Sequence, residues 1–236
     1  ITQQRKTYEI YKEHVKWCNI IGINNIPKLN ALTKEKRSTL IKVAEALQIK
    51  NKAEFLLGGI AADATSDKEA SHFYTGLHED YTRSIDYELF WEKYKARVDH
   101  DYILGYYAHL IADDIWLTGF YLPWLKNRME ANPELQTLYH QDFRLLNGKL
   151  AHYYGVKEVL TNAFEQQVEL FDIDEVKASN TWKLAQYVVE DFNDMEQSLE
   201  QPLHVFTLDQ IVGYIETAIQ KSVYKIQQKF NEEACS

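Results

Sequence analysis

His109 and Asp113 stand four residues apart in the run Gly105-Tyr106-Tyr107-Ala108-His109-Leu110-Ile111-Ala112-Asp113-Asp114-Ile115-Trp116. At about 3.6 residues per turn they stack on one helix face, close enough for an imidazole and a carboxylate to share one small object. Their neighbours are apolar or aromatic, so the pair is expected inside the protein. An isolated buried carboxylate is costly. Either a direct hydrogen bond between the two side chains or a metal ion held by both would relieve that cost. With 8 histidines and 35 acidic residues in the chain, about one such spacing arises by chance, so the pair alone decides nothing. Glu200 and His204 repeat the spacing in reverse, across Pro202, and carry no weight.

Other candidates have ordinary readings beside chemical ones. His72, in Ser71-His72-Phe73, could be a ligand or a packed loop histidine. Asp63 closes an apolar run and could be a ligand or the carboxylate of a local turn. Asp142, in Tyr139-His140-Gln141-Asp142-Phe143, could be a ligand, a partner for Arg144, or exposed. Asp114 projects about 100° around the helix from Asp113 and could serve a second ion, support the first, or face solvent. Asp86, His100 and Asp101 read as loop or cap residues. The 16 tyrosines read mostly as packing whose hydroxyls need partners.

The elements that must position these residues read as helices. Hydrophobic residues are 45% of the chain, with only 9 Gly and 4 Pro in 236 residues, which suits long helices with few breaks. Helical spacing is expected over 2–20, a break over 22–30, a helix capped by Thr33, an interruption over 48–52 and an apolar run over 53–60. A long irregular segment over 61–86 follows, of a length usually either functional or disordered, and its aromatics Phe73, Tyr74 and Tyr81 favour an ordered, packed loop. Further helices are expected over 88–98, 99–124 (ended by Pro123), 133–147, 149–154, 156–170, 181–199 and 207–231. Strand signals are weak, so the expected fold class is all-α, a single multi-helix domain.

Composition narrows function. A net charge of −9 opposes non-specific binding to a phosphate backbone, and no basic groove with interleaved aromatics points to nucleic acid. No apolar run approaches a membrane span of ~20 residues. No basic amphipathic helix points to a lipid surface, so membrane association is not expected. The two cysteines, Cys18 and Cys235, lie near opposite ends and form neither a disulfide framework nor a thiolate zinc site. With no signal-peptide pattern, a cytoplasmic location is the expectation.

Phe55-Leu56-Leu57-Gly58-Gly59-Ile60-Ala61-Ala62-Asp63, then Ser71-His72-Phe73, then residues 105–116 and 138–147, together resemble the zinc-dependent phospholipase C family. The likeness spans about residues 38–155 and is nearest the family's uncharacterised bacterial branch rather than its secreted toxins. It implies an all-helical domain, a fold shared with single-strand-specific zinc nucleases, and a metal centre between helices. It also implies a zinc-dependent phosphoric ester hydrolase, acting on a phosphoester or phosphodiester through a metal-bound hydroxide. By that resemblance Asp63, His72, His109 and Asp113 are the metal ligands, for one or two Zn2+ ions or for iron or manganese, with Asp142 and Asp114 next in line. Asp63 or Asp113 would take the proton from the attacking water, and a small phosphoester is the expected substrate. HD-type phosphohydrolases, also helical and metal-dependent, rank behind it.

The chain departs from the family at named places. Ala62 stands where proline is usual, and Ser38-Thr39-Leu40 lacks the histidine commonly found there. His140 and Asp142 do not have the family's downstream ligand spacing. These departures support an alternative, a catalytically degenerate member that binds a ligand or partner. Residues 1–30 fall outside the likeness and are expected to form a helical extension, an interaction arm that could pair two copies into a homodimer.

Overall fold

The computed structural model describes residues 34–98, 100–190 and 198–234. The expectations for 1–30, for the Thr33 cap and for Cys18 and Cys235 lie outside the described residues. The described chain forms α1 (Lys34–Ala46), α2 (Lys52–Ala61), the four-residue α3 (Lys68–Ser71), a minimal hairpin of β1 (Tyr74–Thr75) and β2 (Ser84–Ile85), and α4 (Tyr87–Tyr94). Then come α5 (Asp101–Trp116), a π-helical stretch Leu117–Leu125, α6 (Lys126–Ala131), α7 (Glu134–Tyr154), α8 (Lys157–Glu165), α9 (Ala178–Glu190) and α10 (Leu208–Ala234). The two strands pair antiparallel, Tyr74 with Ile85 and Thr75 with Ser84. The described part is all-α.

The centre of the fold is α5. Every residue from Tyr102 to Ile115 is buried, the signature of a helix enclosed on all sides. It packs on α2, α10, α1 and α4. The α2–α5 contact is unusually close because both helices offer glycine at the crossing. A Cβ on Gly105 would lie 1.9 Å from the Phe55 carbonyl oxygen, and one on Gly58 would lie 2.0 Å from that of Tyr102. Backbone meets backbone there, and any side chain would force the helices apart.

Local chemistry sets the ends. Asn51, Asp67 and Asp86 each accept a backbone N–H three residues on and so cap α2, α3 and α4. Asp86 is therefore a cap, as expected. Pro123 does not end its helix. The chain is already wound i→i+5 from Leu117 to Leu125, and the wider turn relieves the clash of a proline ring with the carbonyl four residues back. The break expected near residue 148 is also absent: α7 runs on to Tyr154 and stops at Gly155 in the left-handed conformation, φ 64°. The segment 61–86 is irregular but ordered, held by α3 and the hairpin.

Candidate metal centre

Three elements deliver four side chains to one spot beneath the surface. Asp63 follows the last turn of α2, His72 follows α3, and His109 and Asp113 sit one turn apart on α5. Residue exposure is 6% for Asp63, 3% for His72, 0% for His109 and 9% for Asp113, so solvent reaches the carboxylate side of the group but not the His109 ring. The glycine-mediated approach of α5 to α2 brings His109 Nδ1 to 2.7 Å from the Gly59 carbonyl oxygen. Gly59 lies in the final turn of α2, where helix carbonyls commonly take outside partners.

The four groups converge through their tips. His72 Nε2 and His109 Nε2 are 3.4 Å apart. Asp113 Oδ2 is 3.3 Å from His72 Nε2 and 3.4 Å from His109 Nε2. Asp63 places Oδ1 3.5 Å from His72 Nε2 and Oδ2 3.8 Å from His109 Nε2. Ligand atoms of Asp63, His72 and His109 all lie within 4.8 Å of one another, the one such His/Cys/Asp/Glu group among the described residues.

Hydrogen bonding behind the rings fixes what they present. A carbonyl only accepts, so His109 Nδ1 carries the proton it gives to Gly59. The Ser71 hydroxyl donates to the Ala62 carbonyl at 2.8 Å, and having one proton it accepts from His72 Nδ1 at 3.0 Å. Both imidazoles therefore turn a lone pair on Nε2 inward when neutral. Such a bond at the far nitrogen is the usual support of a metal-binding histidine.

The donor set fits a metal ion. Zn–N and Zn–O bonds of about 2.0–2.1 Å put neighbouring ligand atoms of a tetrahedron about 3.3 Å apart. The separations that involve an imidazole nitrogen, 3.3–3.8 Å, lie at or slightly beyond that value, and Asp63, His72 and His109 form the group whose ligand atoms all lie within 4.8 Å of one another. Two neutral imidazoles and two carboxylates suit Zn2+ and also Fe2+ or Mn2+. His72 is further fixed by Tyr74, whose ring stacks on it at 5.5 Å and 10°, with the Arg83 guanidinium on Tyr74 at 4.1 Å. Tyr106 donates its hydroxyl to the Ser71 carbonyl at 2.6 Å. Phe73 takes φ 52°, a left-handed conformation costing about 1–3 kcal/mol in a non-glycine residue. That turn sends the chain from His72 into β1.

Two predicted ligands are placed elsewhere. Asp142 is fully buried, and its carboxylate accepts the backbone N–H groups of His204, Val205 and Phe206 at 2.6–3.1 Å. It anchors the approach to α10. Asp114 turns away from Asp113 as its helical angle requires: Oδ1 accepts the Ile85 N–H at 3.2 Å and Oδ2 lies 3.6 Å from Lys221 Nζ. An adjacent His-Asp dipeptide of the kind HD-type phosphohydrolases use was not expected, yet His100-Asp101 is one. Neither residue joins the metal-capable group, since His100 Nδ1 lies 3.4 Å from Glu54 Oε1 and Asp101 Oδ2 accepts the Asn51 N–H at 2.7 Å.

One residue of the site has no signal in the sequence. Lys68 Nζ donates to Asp63 Oδ1 at 3.0 Å and to the Asp63 carbonyl at 2.9 Å. Only the turn between α2 and α3 brings it back over Asp63, and no helical spacing foretells that.

Compared with known proteins, the chain matches no family model, no curated protein and no solved structure. No described helix is long and apolar enough to cross a membrane.

Proposed function

We propose that the protein is a metal-dependent hydrolase of phosphoesters or phosphodiesters, of the zinc-dependent phospholipase C type, with Asp63, His72, His109 and Asp113 at its centre. The observation that carries this reading is the convergence of two inward-facing imidazole lone pairs and the Asp63 carboxylate just below the surface, with Asp113 beside both rings. A Zn2+ ion held there would supply Lewis acidity and lower the pKa of a water to about 7.

The protein's own groups have distinct parts. His72 and His109 hold their lone pairs in register, since each ring is pinned at Nδ1. Asp63 is fixed by Lys68. Asp113 lies on the more accessible side and is placed to take a proton from the attacking water. The apolar shell of α5 keeps bulk water from the imidazoles and strengthens the electrostatics inside.

A second reading has its own support. Asp113 Oδ2 is as near both imidazole nitrogens as a fourth ligand would be, and a tetrahedral site closed by four protein ligands is structural rather than catalytic. A binding protein without chemistry would look like this. Zinc-loaded protein assayed with p-nitrophenyl phosphate and bis(p-nitrophenyl) phosphate separates the two. Zinc-dependent turnover lost in Asp113→Asn, with zinc retained, supports the hydrolase. A fourth-ligand role predicts no turnover in the wild type and zinc loss in that variant.

A further inference from the structure

Lys68 is clamped by two oxygens of one residue, the Oδ1 and the main-chain carbonyl of Asp63, at 3.0 and 2.9 Å. Asp63 Oδ1 is itself 3.5 Å from His72 Nε2, while Oδ2 faces His109 Nε2. The carboxylate is thus shared: Oδ1 lies beside both the His72 imidazole and the Lys68 ammonium, while Oδ2 faces His109. In two-metal phosphoryl-transfer sites a second ion would stand about 3.5–4 Å from the first, and it needs carboxylates of its own. The other candidate carboxylates are committed elsewhere, Asp114 to the Ile85 N–H and Asp142 to residues 204–206. We propose that Lys68 takes the place of a second cation, so that the centre holds a single metal ion and binds a small oxyanion between that ion and the Lys68 ammonium. This rests on the metal-centre reading above.

Charge and exposure agree with it. Two carboxylates and one divalent ion cancel, and the ammonium leaves the site at a net +1. That sign draws an anion to one point of a chain whose net charge is −9. An ammonium has three donors. Two go to Asp63, which leaves one for a ligand. Its side chain is 23% exposed against 8% for Asp63, so Lys68 forms the solvent edge of the cluster, where an arriving anion meets it first.

The test titrates the full chain with zinc and then with inorganic phosphate by calorimetry, with metal content measured in parallel. Expected are one equivalent of zinc in excess metal and phosphate affinity weakened at least tenfold in Lys68→Ala. Recovery in Lys68→Arg is expected as well, with zinc still at one equivalent in both variants. A second tightly held equivalent in the wild type, or unchanged phosphate affinity in Lys68→Ala, would overturn the proposal while leaving the metal centre standing. A folded wild-type chain that takes up no zinc would overturn the metal centre and this inference with it.

Discussion

His72 and His109 point Nε2 at Nε2 across 3.4 Å, and each hands its Nδ1 proton to a group behind it, Ser71 Oγ and the Gly59 carbonyl. Two neutral imidazoles so placed offer each other lone pairs and no proton. A metal ion held between them, with Asp63 and Asp113 supplying the compensating charge, would resolve the arrangement, as would a proton shared with either carboxylate.

The position of His109 depends on how closely α5 approaches α2. Gly105→Ala introduces a Cβ 1.9 Å from the Phe55 carbonyl, a backbone clash that no rotamer relieves. Destabilisation of roughly 3 kcal/mol is expected, together with weakened zinc binding as His109 is drawn from Gly59. Gly213→Ala, on α10 with nothing near its Cβ, should instead stabilise by about 0.5–1 kcal/mol. Thermal denaturation of both variants checks the pair, and equal midpoints would contradict the packing argument.

Asp142 separates a structural carboxylate from a metal ligand. Asp142→Asn loses the charge that accepts three backbone N–H groups and turns an amide NH2 toward donors. About 3 kcal/mol of stability should be lost, with zinc stoichiometry unchanged. Loss of zinc from a folded Asp142→Asn protein would return this residue to the metal centre.

Alkaline pH should unfold the protein through its buried tyrosines. Burial first, and then the neighbouring Glu175, raises the Tyr94 phenol to about 12, and burial raises Tyr102 to about 12. Burial also holds Tyr106 and Tyr107 above the ordinary value near 10. Their folded values exceed the unfolded one, so the folded state keeps protons that the unfolded state has released. The stabilisation is complete below about pH 10 and is lost as pH rises toward 12. Denaturant midpoints should fall across that window, and less steeply in Tyr102→Phe. A flat profile from pH 9 to 12 would contradict it.

Much of this was legible in the chain, and the parts that were not have physical reasons. The i,i+4 geometry of His109 and Asp113 follows from helix periodicity, and the all-helical class follows from scarce glycine and proline. Asp63 and His72 could be joined to the pair only through resemblance, because a turn and a short helix separate them from α5 in sequence. A carboxylate that accepts backbone amides, as Asp142 does, looks in sequence like one that binds a metal, and the effect of Pro123 depends on the π-helical winding around it. Lys68 and the Gly59 carbonyl were invisible, since a salt bridge over a turn and a main-chain acceptor leave no pattern.

The most direct test is metal content of the purified, untagged chain after dialysis against a weak chelator, beside His109→Ala and the exposed-site control His152→Ala. One equivalent of zinc, iron or manganese in the wild type and in His152→Ala, and none in a folded His109→Ala, is the predicted result. A folded, metal-free wild type that takes up no added zinc would mean that the two histidines and two aspartates share protons rather than an ion, and would contradict the account.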